Sequence, residues 1–162
     1  MKDQPEASPD SDRIATLQLV IALARSLQVI ELGVRPQLAE KGLGMTEFAV
    51  LEVLYHKGPL PLGQIRDRIL VTGASTTYVV KKLEERGLMR RTTSADDQRV
   101  VFGELTSKGR ELIDEVFPPH VDRLRQITAA LSVSEKREVG RLLRRLSRPA
   151  GGRSGEQDLG ED

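Results

Sequence analysis

Between Ser75 and Lys82 the chain sets out aliphatic hydroxyls, a phenol and two ammonium groups, at Ser75, Thr77, Tyr78, Lys81 and Lys82. Farther on, Arg90, Arg91 and Arg99 add three guanidinium groups, with Asp96 and Asp97 close to the last. These side chains donate hydrogen bonds and attract anions, and nothing in their spacing builds a covalent mechanism. Their chemistry suits the phosphate oxygens and base edges of a nucleic-acid duplex, where an ammonium holds a phosphate and a hydroxyl or phenol reads a base.

Other chemistries find little support. The chain has no cysteine and only two histidines, so disulfides, thiolate metal sites and thiol-based redox sensing are excluded. No Gly-x-Ser-x-Gly elbow and no phosphate-binding glycine loop is present, and no nucleophile, base and oxyanion site assembles. The chain is therefore not expected to be an enzyme or to carry a cofactor. His56 and His120 stand far apart, and Glu52 adds no ligand-like spacing, so no metal site is expected either.

The elements that must position the donors follow from periodicity. From Arg13, the residues Ile14, Leu17, Ile21, Ala24, Leu27 and Ile30 recur at three and four, the stripe of a long amphipathic helix. Pro36 is expected to kink that helix or end its first part, with Gly42 and Gly44 as the stop. Thr46 is read as the N-cap of a second helix carrying Phe48, Leu51 and Leu54, closed by Gly58 and Pro59. A short third helix from Pro61 turns Leu62, Ile65 and Ile69 inward. After a tight Val71-Thr72-Gly73 turn, a fourth helix runs to Arg86 and stops at Gly87.

On that fourth helix Thr76, Val79, Val80 and Leu83 share one face, which leaves Ser75, Thr77, Tyr78, Lys81 and Lys82 outward. Leu88 to Thr92 and Val100 to Leu105 then read as two strands around a polar tip, a basic hairpin able to bring Arg99 to a minor groove. Asp97, two residues from Arg99, could orient it. The chain closes with a long helix from Ser107 or Lys108 to about Leu131, bent at Pro118 and Pro119. A last helix to Leu146 opens on the capping-box spelling Ser132-Val133-Ser134-Glu135.

The fold class is thus mainly α with a small β-hairpin wing. A winged helix-turn-helix at about 45–106 is framed by helices at about 13–42 and 107–146, within one domain at 13–148. Residues 1–12 and 149–162 lack apolar periodicity and read as disordered tails. The net charge is +1, from 25 Lys and Arg against 24 Asp and Glu, so any attraction to nucleic acid is local rather than global. No run approaches ~20 consecutive apolar residues, no membrane partner is expected, and the cytoplasm is the expected location. Terminal helices this long need more cover than so small a module offers, which points to a second copy.

The order Leu83-Glu84-Glu85-Arg86-Gly87-Leu88 into Arg91, then Asp97-Gln98-Arg99, then Leu105-Thr106-Ser107-Lys108-Gly109, resembles the MarR family of bacterial and archaeal regulators. The resemblance extends over roughly Ile14 to Leu146, including Leu131-Ser132 to Glu135 and Leu142-Leu143 to Leu146. It implies a homodimer joined through the terminal helices and acting on a palindromic double-stranded operator, usually as a repressor. Ser75, Thr77, Tyr78 and Lys82 would stand on the recognition helix and Arg99 in the wing. Leu70-Val71-Thr72-Gly73 with Thr77-Tyr78-Val79-Val80 and Lys82-Leu83 looks like a branch that includes regulators responding to quinones and phenolic compounds. Most of the wider family carries Arg where this chain has Tyr78.

The resemblance also implies an effector crevice between the dimerisation helices and the winged module. Tyr55, His56, Phe117 and His120 fall near that junction and suit a small aromatic or phenolic effector. Phe117 as core, with both histidines on the surface, is the plainer reading of the same residues. Two alternatives stand beside the effector-controlled repressor: a regulator that binds DNA without a ligand, and a winged-helix module that binds proteins.

Overall fold

The computed structural model describes residues 9–69, 76–93 and 97–147. The expectations for Ser75, for the Val71-Thr72-Gly73 turn, for Asp96 and for most of both tails lie outside the described residues. Among the described residues, the elements run α1 (Pro9–Glu40), α2 (Met45–Lys57), β1 (Leu60–Pro61), α3 (Leu62–Arg68), α4 (Thr76–Glu85), β2 (Met89–Thr93), β3 (Val101–Leu105), α5 (Ser107–Ile127) and α6 (Val133–Leu146). This is the mainly helical, winged architecture read from the periodicity.

The core forms where α2, α3, α4, β2 and α5 turn their apolar stripes together. Phe48, Leu51 and Leu54 of α2, Ile65 of α3, Val79, Val80 and Leu83 of α4, and Ile113 and Val116 of α5 are all buried. Each large side chain of this set withdrawn from water contributes about 1.5–3 kcal/mol. The sheet has the order β1-β3-β2 and is antiparallel throughout. Its third strand, Leu60–Pro61, is too short for periodicity to reveal; it pairs Leu60 with Gly103 and Pro61 with Phe102. In β3, Gly103 lies close under two side-chain ends: a Cβ there would stand 2.8 Å from Met89 Cε and 2.9 Å from Ile65 Cδ1, so both would have to shift.

Several boundaries differ from those expected. α1 begins at Pro9, so helix replaces the expected tail over Pro9–Asp12. It then runs unbroken through Pro36 to Glu40, since one proline removes a single backbone donor and flanking turns keep theirs. Gly42, at φ +64°, closes the helix, with Leu43 N–H donating back to the Leu38 carbonyl. Gly44, not Thr46, is the N-cap of α2, and its N–H donates to Glu47 Oε2 at 2.6 Å. α5 likewise continues through Pro118 and Pro119, but ends at Ile127. The capping box of α6 is present as spelled, Ser132 Oγ accepting from Glu135 N–H and Glu135 Oε2 from Ser132 N–H.

The stripe expected on α1 is broader than one face. Leu19, Val20, Val29 and Leu32 stand exposed along with Ile14, Leu17, Ile21 and Leu27, and only Val34 and Leu38 of this helix are buried within the chain. By length and a mean hydropathy of 1.6 over an 18-residue stretch, α1 is apolar enough to cross a membrane. Arg25 lies well inside the helix, however, and a guanidinium at a bilayer centre costs about 2.5–3.5 kcal/mol.

α5 is joined to the wing and to α4 at one close approach. A Cβ on Gly109 would lie 1.9 Å from the Leu88 carbonyl oxygen. Thr106 caps α5 by accepting from Gly109 N–H, and its own hydroxyl donates to the Gly87 carbonyl at 2.7 Å. Gly109→Ala is expected to destabilise the fold by at least about 3 kcal/mol, because backbone rather than a side chain must move. A thermal melt should register this as a fall of roughly 6 to 12 °C; an unchanged midpoint would refute the close approach.

Candidate nucleic-acid interface

α4 divides cleanly between its two faces. Val79, Val80 and Leu83 are buried, whereas Thr77, Tyr78, Lys81 and Lys82 are exposed, Tyr78 to 65%. A phenol this exposed on a ten-residue helix contributes little to packing among the described residues. Gly87, at φ +68°, ends the helix and turns the chain into β2, which packs back against α4.

The wing's cations are more committed than the sequence suggests. Arg90 lies opposite Glu104 in the β2–β3 register, and its Nε donates to Glu104 Oε1 at 2.8 Å. Arg91 pairs with Glu84 of α4 at 2.8 Å. Both pairs tie the wing together and neutralise much of its local charge; exposed pairs of this kind stabilise by about 0–1 kcal/mol. Arg99 is exposed where the chain returns toward β3. Asp97 orients this segment through the backbone, Oδ1 accepting from Arg99 N–H at 2.9 Å, while the Asp97 carbonyl accepts from Val100 N–H.

Lys82 differs most from expectation. Its Nζ lies 2.7 Å from Oε1 of Glu47, a carboxylate only 4% exposed. Arg86 approaches the other oxygen at 3.9 Å. Desolvation pushes the Glu47 pKa upward, but the Gly44 N–H, Lys82 and Arg86 together outweigh it and hold the carboxyl below its usual range. Periodicity assigned Glu47 no role; the one legible signal was an acid at the third residue of a helix, facing inward one position before Phe48.

Tyr55, His56 and Phe117 do come together. The His56 and Phe117 rings lie 4.9 Å apart, Tyr55 and His56 5.2 Å, and Tyr55 and Phe117 6.0 Å. The Arg110 guanidinium sits over the Tyr55 ring. The Tyr55 hydroxyl donates to Asp114, which raises its pKa. One turn before His56, Glu52 is half-buried, and desolvation raises its pKa as well. His120 lies apart from this cluster. It is 6% exposed, its ring 4.4 Å from Phe48, with Nδ1 3.3 Å from Gln37 Nε2. His120 is therefore neither a surface residue nor a member of the aromatic cluster; it joins α1, α2 and α5. Among the described residues, no three metal-ligating side chains gather.

Comparison with known proteins agrees with the mainly helical, winged fold. The MarR family model matches residues 43–101. The HTH-type transcriptional regulator MhqR of Bacillus subtilis is 41% identical over 131 residues, covering 81% of this chain and 90% of that protein. Among solved structures, a probable transcriptional regulator from Pseudomonas aeruginosa superimposes with a TM-score of 0.67 at 29% identity, covering 79% of this chain and 96% of that one. Sco3205 of Streptomyces coelicolor, a MarR family regulator solved with DNA, gives a TM-score of 0.72 at 21% identity, covering 90% and 91% respectively. The last shows likeness of fold.

Burial lowers the His120 pKa below 6.5, so the unfolded chain binds its proton more readily than the folded one. Its contribution to stability is complete above about pH 6.5 and is lost as pH falls through 6.5 toward the folded value. Urea denaturation from pH 8 to 5 should show this loss, at up to about 1.4 kcal/mol per pH unit. His120→Gln should flatten that part of the profile; an unaltered slope would place the titration elsewhere.

Proposed function

Since this chain belongs to the MarR family of winged helix-turn-helix transcriptional regulators, we propose that it is a homodimeric repressor that binds a palindromic operator and is released by a small aromatic or phenolic effector. The observation that carries the reading is the outward face of α4, where Thr77, Tyr78 and Lys81 stand exposed over a fully buried apolar face. With Ser75 at the start of this segment, that face would enter the major groove, and Tyr78 would meet base edges. Arg99 would reach the adjacent minor groove, where the potential is most negative. Arg90 and Arg91 would brace the wing and attract phosphate at longer range, and Asp97 would fix the turn that carries Arg99.

The exposed apolar girdle of α1 and the row Val139, Leu142, Leu143 and Leu146 on α6 support the dimer, because a helix apolar on most sides must be covered. A two-fold dimer would carry its recognition helices to successive major grooves about 34–36 Å apart. The Tyr55–His56–Phe117 cluster, between α2 and α5, supports an aromatic effector, since rings stack there and His56 can exchange a hydrogen bond with a hydroxyl. An effector seated there would favour a spacing of the two α4 helices that no longer fits the operator.

The test is binding of the purified protein to DNA from just upstream of its own gene, over a salt series, with and without phenolic compounds. The expected result is selective binding, steeply weakened by salt and relieved by a phenol. Selective binding without relief would leave a ligand-independent regulator, and no binding to any DNA would leave a protein-interaction module.

Two variants sharpen the site. Arg99→Ala should weaken operator binding at least about tenfold with the dimer intact by sedimentation; normal binding would remove the wing assignment. Tyr78→Ala should change base preference more than affinity for unrelated DNA, read by competition among operator variants. A uniform loss on all sequences would make Tyr78 a backbone contact.

A further inference from the structure

Lys82 stands on a border. It follows Val79 by three residues and Tyr78 by four, so on α4 it lies between the buried stripe and the outward face. Its charge is turned to the buried side, where Glu47 Oε1 lies 2.7 Å away and has no other hydrogen-bonding partner among the described residues. The second Glu47 oxygen is held by Gly44 N–H at 2.6 Å, so the carboxylate cannot swing out to water without uncapping α2. One helical turn beyond Lys82, Arg86 approaches the same carboxylate and donates to the Gly42 carbonyl at 2.8 Å and to the Lys41 carbonyl at 3.3 Å. The Lys82 ammonium, the Arg86 guanidinium and Glu47 thus fasten the second half of α4 to the turn between α1 and α2.

A carboxylate this deeply buried is strongly destabilised when its counter-charge is removed. Moving the Lys82 ammonium to a DNA phosphate would impose that cost on every binding event. Lys81, on the open face with its Nζ 3.7 Å from an exposed Glu85 oxygen, is free of such a constraint.

We propose that Lys82 is a positioning residue for DNA recognition: held by Glu47, it sets the angle at which the recognition helix packs on α2 and does not itself contact a phosphate. The proposal rests on the DNA-binding reading above. It makes Glu47, a residue that never meets DNA, a determinant of operator affinity.

A salt series with a double-mutant cycle tests it, using the duplex that the intact protein binds selectively and an unrelated duplex of equal length. Lys82→Met and Glu47→Gln should each weaken selective binding about tenfold, and the double variant no more than either alone, because all three lose one interaction. The slope of log Kd against log salt should match that of the unaltered protein, and binding to the unrelated duplex should not change. Lys81→Met, the control, should instead lower the slope by about 0.9, the signature of one lost phosphate contact. The proposal is overturned if Lys82→Met lowers the slope by that amount and weakens both duplexes alike, or if Glu47→Gln binds as the unaltered protein does. Lys82 is half-exposed, so its variant's slope decides the matter even if Glu47→Gln fails to fold. If the unaltered protein selects no DNA, the DNA-binding reading falls first, and the role of Lys82 in recognition falls with it.

Discussion

The winged module depends on how closely α5 can approach the Leu88 carbonyl. That carbonyl accepts from Thr106 N–H at 3.2 Å and lies against the bare Cα of Gly109. There the end of α4, the start of β2 and the first turn of α5 meet, with the Thr106 side chain closing both Gly87 and the helix cap. Moving α5 outward by the radius of a methyl group would separate Ile113 and Val116 from the core that α4 completes. The placement of α4 against α5 therefore depends on a backbone contact well removed from its exposed face.

Much of the fold was legible because helices advertise themselves. The three-and-four spacing on α1, the inward set Val79, Val80 and Leu83, the glycine stop at Gly87 and the Ser132–Glu135 box are local signals, and local signals survive in the finished chain. What escaped was non-local. β1 is two residues long and exists because β3 offers it an edge. Thr46 was read as the N-cap, but Gly44 takes that place with Glu47 accepting its N–H from three residues on, and the second role of Glu47, its pairing with Lys82, shows only when α4 packs against α2. Proline suggested a kink or an end at Pro36 and a bend at Pro118 and Pro119; helix continues through all three, because long helices packed against one another tolerate the loss of isolated hydrogen bonds.

The candidate site was legible in its membership more than in its electrostatics. Sequence could say which residues face outward on α4, because a single helix determines that. Partners it could not assign: Arg90 meets Glu104 across a strand pair, Arg91 meets Glu84 on another element, and Lys82 meets Glu47 from a third. The basic stretch of the sequence is thus largely paired in the folded chain. Of the four residues expected to form an effector crevice, Tyr55, His56 and Phe117 gather across α2 and α5, while the His120 ring lies against Phe48, a demand of packing that spacing does not express.

α1 extends its apolar surface over most of 32 residues, about 48 Å of helix, with little of it covered by its own chain. If a second copy supplies that cover, folding and pairing become one equilibrium, and stability rises with the amount of protein present. Newly made chains at low copy number would then be the vulnerable ones, open to proteases before they meet a partner. Control would respond to synthesis more steeply than in proportion, since doubling the number of chains more than doubles the number of protected dimers.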